Sequence, residues 1–215
     1  VLYQKDAEKA MYPASTTKLM TALLTIEKLG LDDRIRFSDS ATGHLEDGAV
    51  TANMVSGDTM TVRDALAAML LMSACEVANA LGENVAGNEA AFASMMNEKA
   101  KALGCRNSNF RNASGLNDSG HYSCAYDLAR IAAAAVSNEH IKNILGTKNY
   151  TLPASKKRGA LAIKNSNKMI FVENSEYYTG IVGGKTGYTS KAGNTVVEIA
   201  DISGHRLVAV AMKSQ

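Results

Sequence analysis

The most constraining feature of the sequence is a lysine inside an apolar helical pattern. Residues 12–30 predict one helix, with Pro13 at its first turn and Gly30 suited to a left-handed end. Its apolar residues recur at helical spacing: Leu19, Leu23, Ile26 and Leu29. At about 100° per residue, Lys18 falls on the same side as Ile26. Because a buried lysine is rare and burial lowers its pKa, the pattern predicts an interior amine that can act as a base.

Ser15 lies one turn before Lys18, and side chains three residues apart on a helix are neighbours. A helix N-terminus also offers free backbone N–H groups that carry partial positive charge. A hydroxyl, an adjacent base and N–H donors are what nucleophilic acyl transfer requires. The alternative for this segment alone is that Ser15 or Thr16 only caps the helix and Lys18 reaches solvent.

Composition narrows the class of protein. The 215 residues, 46% of them hydrophobic, suffice for one sizeable domain or for two lobes that share a core. A net charge of +2, with 6% aromatic residues and no Trp, gives little support for nucleic-acid binding. The longest apolar run, 65–75, is shorter than the roughly 18 residues of a spanning helix. The three cysteines, Cys75, Cys105 and Cys124, predict buried free thiols rather than a disulfide framework.

Periodicity predicts strand at the start of the chain, helices in the middle and strands at the end. The predicted helices run from Thr61 to Leu71, from Glu76 to Val85, from a cap at Asn88 to Gly104, and onward from a cap at Ser123. The predicted strands are 1–3, 34–38, 160–164, 169–172 and a hairpin of 194–200 with 205–212. This order predicts an α/β protein of the α+β type, with an antiparallel sheet built from both chain ends and an inserted helical lobe.

Two further segments are candidates for function. Gly183–Tyr188 is not a phosphate-binding loop, because that motif requires Gly where position 179 is Thr. Its glycines instead predict a strand whose backbone is closely approached by another group, such as an extended ligand. The alternative is a simple turn with a solvated Lys185. Ser73–Cys75 lies between two helical segments, where a side chain can be aimed at a neighbouring element.

Taken in order, S-x-x-K at Ser15–Lys18, S-x-C at Ser73–Cys75 and K-T-G at Lys185–Gly187 resemble the active-site motifs of penicillin-binding proteins and serine β-lactamases. Further segments are similar to low-molecular-mass D-alanyl-D-alanine carboxypeptidases: 112–116, 118–123, 165–167 and 184–189. The resemblance covers nearly all of the chain and implies a β-lactamase/transpeptidase-like fold. It implies one catalytic domain of two lobes, with the sheet in 1–37 and 146–215 and mainly helices in 38–145. A C-terminal domain and a membrane anchor are expected outside this sequence.

The resemblance also implies roles for individual residues. Ser15 is expected to be the acylated nucleophile, Lys18 its base, Ser73 a proton relay toward the leaving amine and Lys185 an electrostatic partner. The N–H groups of Ser15 and Tyr188 would form the oxyanion hole, and Thr186 and Gly187 would line the strand edge. Arg206 is expected to meet a terminal carboxylate. Cys75 stands where the family usually has a substrate-binding Asn, and a thiol is a poorer donor and acceptor than an amide.

The function implied is removal of the terminal D-Ala from peptidoglycan stem peptides, with covalent inhibition by penicillins and other β-lactams. A D,D-transpeptidase remains an alternative. A β-lactamase is less favoured, because no E-x-x-L-N segment lies between the second and third motifs. Cys75 leaves open a catalytically silent penicillin sensor or wall-binding module. By analogy, the protein is expected outside the cytoplasmic membrane of a bacterium, at its outer face or in the cell wall.

No metal or cofactor is expected. His121 and Cys124 alone could suggest half of a metal site, but two such residues without a second pair more often indicate a loop hydrogen bond. Cys75 as a nucleophile would need a nearby base, which the sequence does not identify. A buried, inert thiol is the preferred interpretation.

Overall fold

The computed structural model describes residues 1–43 and 45–214, without the side chain of Ser214. Its helices are α1 (Lys18–Lys28), α2 (Asp39–Thr42), α3 (Val62–Leu71), α4 (Cys75–Ala86), α5 (Glu89–Ala102), α6 (Ala125–Val136) and α7 (Glu139–Gly146). Its strands are β1 (Arg34–Arg36), β2 (Thr59–Thr61), β3 (Asn149–Leu152), β4 (Leu161–Lys164), β5 (Ile181–Thr189), β6 (Gly193–Ile202) and β7 (His205–Ser214). Within the described residues, no helix is both long enough and apolar enough to cross a membrane.

In the part of the chain that the structure describes, the strands form three antiparallel sheets. The largest has the order β5-β6-β7, and β1-β2 and β3-β4 are two-stranded. Ser203 and Gly204 connect β6 to β7 with φ of 50° and 79°, which is the left-handed conformation of a tight two-residue hairpin turn. The predicted hairpin of 194–200 with 205–212 is therefore confirmed, and so is the α/β class with antiparallel sheets flanked by helices.

Helix α1 occupies the centre of the helical layer and packs against α3, α4, α5 and α6. Its apolar residues are buried except Ile26, which is partly buried, and Lys18 is 0% exposed. The predicted single helix begins with a 3-10 turn at Ala14–Thr17 before α1. Gly30 does not provide the expected left-handed end. The helix stops at Lys28, Leu29 is already extended, and the Gly30 N–H donates to the Asp33 carboxylate at 2.7 Å.

Local capping signals explain the ends of the middle helices. The Thr61 hydroxyl oxygen accepts the Asp64 N–H at the start of α3, and the Asn88 side chain accepts the Ala91 N–H at the start of α5. Both caps were predicted. Ser123 is a wrong cap, because α6 starts at Ala125 and the Ser123 hydroxyl is bonded to Ser108, 2.8 Å away.

Two predicted strands are absent from the described residues. Val1–Tyr3 are exposed and outside any sheet, so the main sheet is built from the last three strands and not from both chain ends. A three-residue apolar run needs a partner strand to be stable, and none lies beside it. Residues 169–172 are also not a strand, because Lys168–Ile170 form a 3-10 turn whose Met169 N–H is accepted by the Asn167 side chain.

Candidate active site

Lys18 and Ser15 are in direct contact at the start of α1. The Lys18 Nζ lies 2.9 Å from the Ser15 Oγ, donates to the Ser114 carbonyl oxygen at 2.6 Å, and lies 3.5 Å from the Cys75 Sγ. Burial is the main cause that lowers the Lys18 pKa, and the Cys75 thiol and the Glu76 charge only partly oppose it. A neutral amine has a free lone pair, so this nitrogen is placed to accept the Ser15 proton.

Lys185 forms a second buried amine beside the first. Its Nζ donates to the Ser73 hydroxyl and, at 2.8 Å, to the Thr186 carbonyl oxygen. Burial, followed by the nearby Lys18 charge, lowers the Lys185 pKa to about 7. Ser73 has φ of 68°, an uncommon conformation for a residue other than glycine. This conformation interrupts the chain between α3 and α4 and directs the Ser73 hydroxyl toward Lys185 of β5. The sequence predicted that a side chain at this junction could be aimed at a neighbouring element.

Strand β5 passes very close to the Ala14–Thr17 turn, which carries Ser15 and is called the reactive turn below. A Cβ added to Gly187 would lie 2.4 Å from the Thr195 Oγ1 and 2.9 Å from the Ser15 backbone nitrogen. The Thr195 hydroxyl donates to the Pro13 carbonyl oxygen at 3.1 Å and so ties β6 to the same turn. Another group does approach the Gly187 backbone closely, as predicted. In this structure that group is the chain's own segment around Ser15.

An open cleft of about 550 Å³ lies between the reactive turn and β5. Among the residues that line it are Ser15, Ser73, Ser166, Thr186, Gly187 and Tyr188. Lys18 and Lys185 are buried behind this surface, each bonded to a serine that reaches it. The structure thus brings together seven predicted site residues from the Ala14–Thr17 turn, α1, the α3–α4 junction and β5: Ser15, Lys18, Ser73, Lys185, Thr186, Gly187 and the exposed Tyr188.

Arg206 is not part of this cleft. The hairpin register pairs Arg206 with Asp201 beside the Ser203–Gly204 turn, whereas the cleft lies at the opposite end of β6, at Asn194. Its guanidinium donates to both Asp201 carboxylate oxygens, at 2.8 and 2.9 Å, and to the Val136 carbonyl oxygen. The expected contact of Arg206 with a substrate carboxylate is corrected on this geometry.

Cys75 is also placed away from the cleft surface. It is 3% exposed, is the first residue of α4, and has its sulfur against the Lys18 amine and the Ser73 carbonyl oxygen. Its position matches the preferred interpretation of a buried thiol. Cys75 is not among the residues that line the cleft, so its thiol is not placed for the expected substrate contact.

Sequence reasoning missed three groups around the site. The Ser114 carbonyl oxygen holds Lys18 from a loop 96 residues away, and a backbone acceptor has no signal in the sequence. Glu76 is buried and accepts the N–H groups of Ala52 and Met54, at 2.6 and 3.3 Å, which fixes the segment beside the cleft. The Ser166 hydroxyl lies 2.9 Å from the Thr186 hydroxyl; the resemblance includes segment 165–167, but it assigned no role to Ser166.

His121 holds the long loop under the reactive turn. Its Nδ1 accepts the Arg111 N–H at 3.1 Å, which leaves the Nε2 proton for the Thr17 hydroxyl at 2.9 Å. Burial lowers the His121 pKa to about 4, so the ring is neutral. The predicted loop hydrogen bond is thus observed. Across residues 1–43 and 45–214, no group of three or more Cys, His, Asp or Glu side chains is arranged to hold a metal.

A hydroxyl at a helix start, a buried amine behind it and a strand edge alongside define a class of protein. The mixed α/β fold with its antiparallel sheets and this arrangement are those of serine acyl-transfer proteins with the β-lactamase/transpeptidase-like fold. The chain belongs to the Peptidase S11 family, described as D-alanyl-D-alanine carboxypeptidase, which matches residues 1–215.

Individual relatives agree with the family assignment. The D-alanyl-D-alanine carboxypeptidase DacF of Bacillus subtilis is 35% identical over 216 residues, which is 98% of this chain and 53% of that protein. The chain therefore spans about half the length of that relative. A solved D-alanyl-D-alanine carboxypeptidase from Mycobacterium tuberculosis superimposes with a TM-score of 0.88 at 30% identity, covering 99% of this chain and 77% of that one. The Streptomyces K15 DD-transpeptidase gives 0.87 at 28% identity, covering 98% and 84%.

Proposed function

We propose that this chain is a serine-type D-alanyl-D-alanine carboxypeptidase domain that removes the terminal D-Ala from peptidoglycan stem peptides. The observation that carries the proposal is the buried Lys18 amine, 2.9 Å from the Ser15 hydroxyl at the edge of an open cleft. Membership of the Peptidase S11 family supports the substrate class. β-Lactams would acylate the same serine.

In the first step, Lys18 takes the Ser15 hydroxyl proton as the Oγ attacks the carbonyl carbon of the penultimate D-Ala. The oxygen of the tetrahedral intermediate accepts hydrogen bonds from the Ser15 and Tyr188 N–H groups. Support for this role comes from the closeness of β5 to the Ser15 nitrogen, which only a glycine at position 187 permits.

In the second half of acylation, the C–N bond breaks and the leaving D-Ala amine receives the proton that Lys18 took from Ser15. Ser73 is the proposed relay, because its hydroxyl lies on the cleft surface and is bonded to Lys185. Lys185 supplies positive charge toward the substrate carboxylate, with Thr186 at the strand edge. Water then attacks the acyl-enzyme carbonyl and gives one proton to Lys18, which passes it to the Ser15 Oγ as the shortened peptide leaves.

A D,D-transpeptidase is the second candidate, because a structural neighbour is itself named as one. In that reaction an amine replaces water as the acceptor. The acyl-enzyme on Ser15 is common to both reactions, so the acceptor alone separates them.

We further propose one catalytic domain made of two lobes: the three-stranded sheet lies within residues 146–215, the helical lobe is 38–145, and α1 from residues 1–37 packs into the helical lobe. The family acts on cell-wall peptidoglycan. An exported protein at the outer face of the cytoplasmic membrane is the location that this substrate requires.

The test is to incubate the protein with a peptide ending in D-Ala-D-Ala and to measure released D-alanine, together with the intact mass after penicillin. We expect release, and a penicillin adduct that Ser15→Ala abolishes. Ser94→Ala, which changes an exposed serine of α5, is the matched control and should behave as wild type. A permanent adduct without release would favour the penicillin sensor, and rapid penicillin turnover would favour the β-lactamase. Transfer to an added D-amino acid in preference to water would favour the transpeptidase.

A further inference from the structure

A buried carboxyl lies under the strand that carries Lys185, Thr186 and Gly187. Glu198 of β6 is 5% exposed and pairs directly with Gly184 across the sheet. Its Oε2 accepts a hydrogen bond from the Asn167 Nδ2 at 2.8 Å. Its Oε1 is buried and has no hydrogen-bond partner among the described residues. Burying such a group without a compensating partner is costly, and its presence beside the site requires an explanation.

Gly184 makes room for this carboxyl. A Cβ at position 184 would lie 2.3 Å from the Glu198 Oε2 and 2.6 Å from the Val197 carbonyl oxygen. Real Cβ atoms do not approach other atoms so closely, so any other residue at 184 would displace the carboxyl or separate β5 from β6. The glycine before Lys185 and the glutamate opposite it therefore fit as a pair.

Asn167 connects the carboxyl to the segment that reaches the cleft. The Asn167 Oδ1 accepts the Met169 N–H at 3.0 Å, so the side chain bridges its own segment and β6. One residue earlier, the Ser166 N–H donates to the Leu71 carbonyl oxygen at 2.9 Å. The Ser166 hydroxyl lies 2.9 Å from that of Thr186. Because Gly184 and Thr186 are two residues apart on β5, both contacts fall on the same face of the sheet.

We propose that Glu198 is a positioning residue: its carboxyl, fitted against Gly184 and bonded to Asn167, fixes the 165–167 segment on β5 and so sets Ser166 beside Thr186 for substrate binding. This inference rests on the proposed function, because the substrate is the peptide that occupies the cleft. Glu198 does not touch the reacting atoms. It acts through Asn167, and its effect should therefore appear in substrate binding before it appears in the chemical step.

Among the described residues, no cationic side chain forms an ion pair with Glu198. The cationic groups around it are engaged elsewhere: Lys185 with Ser73 on the opposite face of β5, Arg206 with Asp201, Lys164 with Glu173, and Lys168 with Glu176. On β7, Glu198 faces Ala209 in the middle of the strand, and His205 and Lys213 lie toward its two ends. Tyr188, near the far end of β5, is exposed.

Burial raises the pKa of Glu198 to about 7, and the Asn167 bond only partly opposes this. Below pH 7 the carboxyl is mostly neutral and still accepts the Asn167 N–H. Above pH 7 it becomes an unpaired buried carboxylate, which favours entry of water between the 165–167 segment and the sheet. The contact that positions Ser166 beside Thr186 should therefore weaken as the pH rises through neutrality.

The kinetic test compares Glu198→Gln, Glu198→Ala and Asn167→Ala with wild type from pH 5.5 to 8.5. We expect Glu198→Ala and Asn167→Ala to raise the KM for the D-Ala-D-Ala peptide about tenfold, with kcat within about twofold, because both remove the buried hydrogen bond between Glu198 and Asn167. Glu198→Gln keeps the shape and the acceptor, so its KM should match wild type at pH 6. Between pH 6 and pH 8.5 its KM should rise less than the wild-type KM, because loss of the Lys185 charge acts on both proteins whereas ionisation of Glu198 acts on wild type alone.

Asn84→Ala is the matched control. Asn84 ties β1 to α4 by two hydrogen bonds to the Arg36 backbone, at 3.1 and 2.8 Å, and Asn84 does not line the cleft. The inference is overturned if Glu198→Ala and Asn167→Ala change KM no more than Asn84→Ala does. It is equally overturned if Glu198→Gln retains the wild-type pH dependence of KM.

A second readout does not depend on activity. In ¹H–¹⁵N spectra, the Asn167 side-chain amide should shift with a midpoint near pH 7 in wild type and stay constant in Glu198→Gln. If wild type releases no D-alanine, the proposed function fails alone, and these spectra still decide the role of Glu198. An Asn167 side-chain signal at the same position in wild type and in Glu198→Ala would overturn the positioning role even in an active enzyme.

Discussion

Replacing Lys18 with methionine should separate catalysis from stability. Methionine keeps a long unbranched chain of similar volume in the core but removes the amine that lies 2.9 Å from the Ser15 hydroxyl. A general base typically contributes about 10²–10⁴ to rate. At about 1.36 kcal/mol per tenfold, this corresponds to roughly 3–5 kcal/mol of activation free energy. Acylation of Ser15 should slow by about a thousandfold.

Stability should change much less. The substitution leaves the Ser114 carbonyl oxygen without its 2.6 Å partner, at a cost of about 1–3 kcal/mol. Against this, it removes the desolvation cost of a fully buried amine and adds apolar contacts in the centre of the helical layer. The two effects oppose each other, and a net change within about 2 kcal/mol corresponds to a Tm shift of roughly 4–8 °C or less.

The assay pairs the rate of penicillin adduct formation, followed by intact mass, with thermal unfolding followed by circular dichroism. Lys28→Met, on the exposed last turn of the same helix, is the matched control and should leave the acylation rate unchanged. Acylation of Lys18→Met within tenfold of wild type would refute the role of Lys18 as base. Loss of activity together with loss of the folding transition would assign Lys18 a structural role.

Three further outcomes follow from the structure. The acid limb of the acylation rate should show an apparent pKa well below 10.5, because burial lowers the pKa of Lys18; a limb near 10 would contradict this. Gly115→Ala should destabilise the protein by several kcal/mol in urea unfolding, since Gly115 has φ of 81° and its added Cβ would lie 1.9 Å from the Ala14 carbonyl oxygen; wild-type stability would count against the close contact. Between pH 4.5 and about 7, folded Glu198 keeps a proton that the unfolded chain has lost, so wild-type stability relative to Glu198→Gln should fall with rising pH by on the order of 3 kcal/mol; parallel stability curves would disprove the raised pKa.

Features that depend on a few neighbouring residues were predicted correctly. Ser15 and Lys18 meet because three residues make nearly one helical turn, and the apolar spacing of α1 decides that Lys18 faces inward. The caps at Thr61 and Asn88 are likewise local, as is the tight turn between β6 and β7. Gly30 is the exception. Its N–H donates to the Asp33 carboxylate three residues later, so it does not take the left-handed conformation expected at the end of the helix.

Contacts between distant segments were decided only by the tertiary structure. Arg206 was assigned wrongly because the sequence gives the hairpin but not which end of it borders the cleft. The predicted strand at the first three residues lacked a partner strand, a condition that no local pattern reports. The Ser114 carbonyl oxygen that holds Lys18 and the Glu198 carboxyl beside Gly184 arise only when segments far apart in sequence pack together. The sequence by itself determined which residues could react, because that depends on local spacing, whereas packing decided what surrounds and orients them.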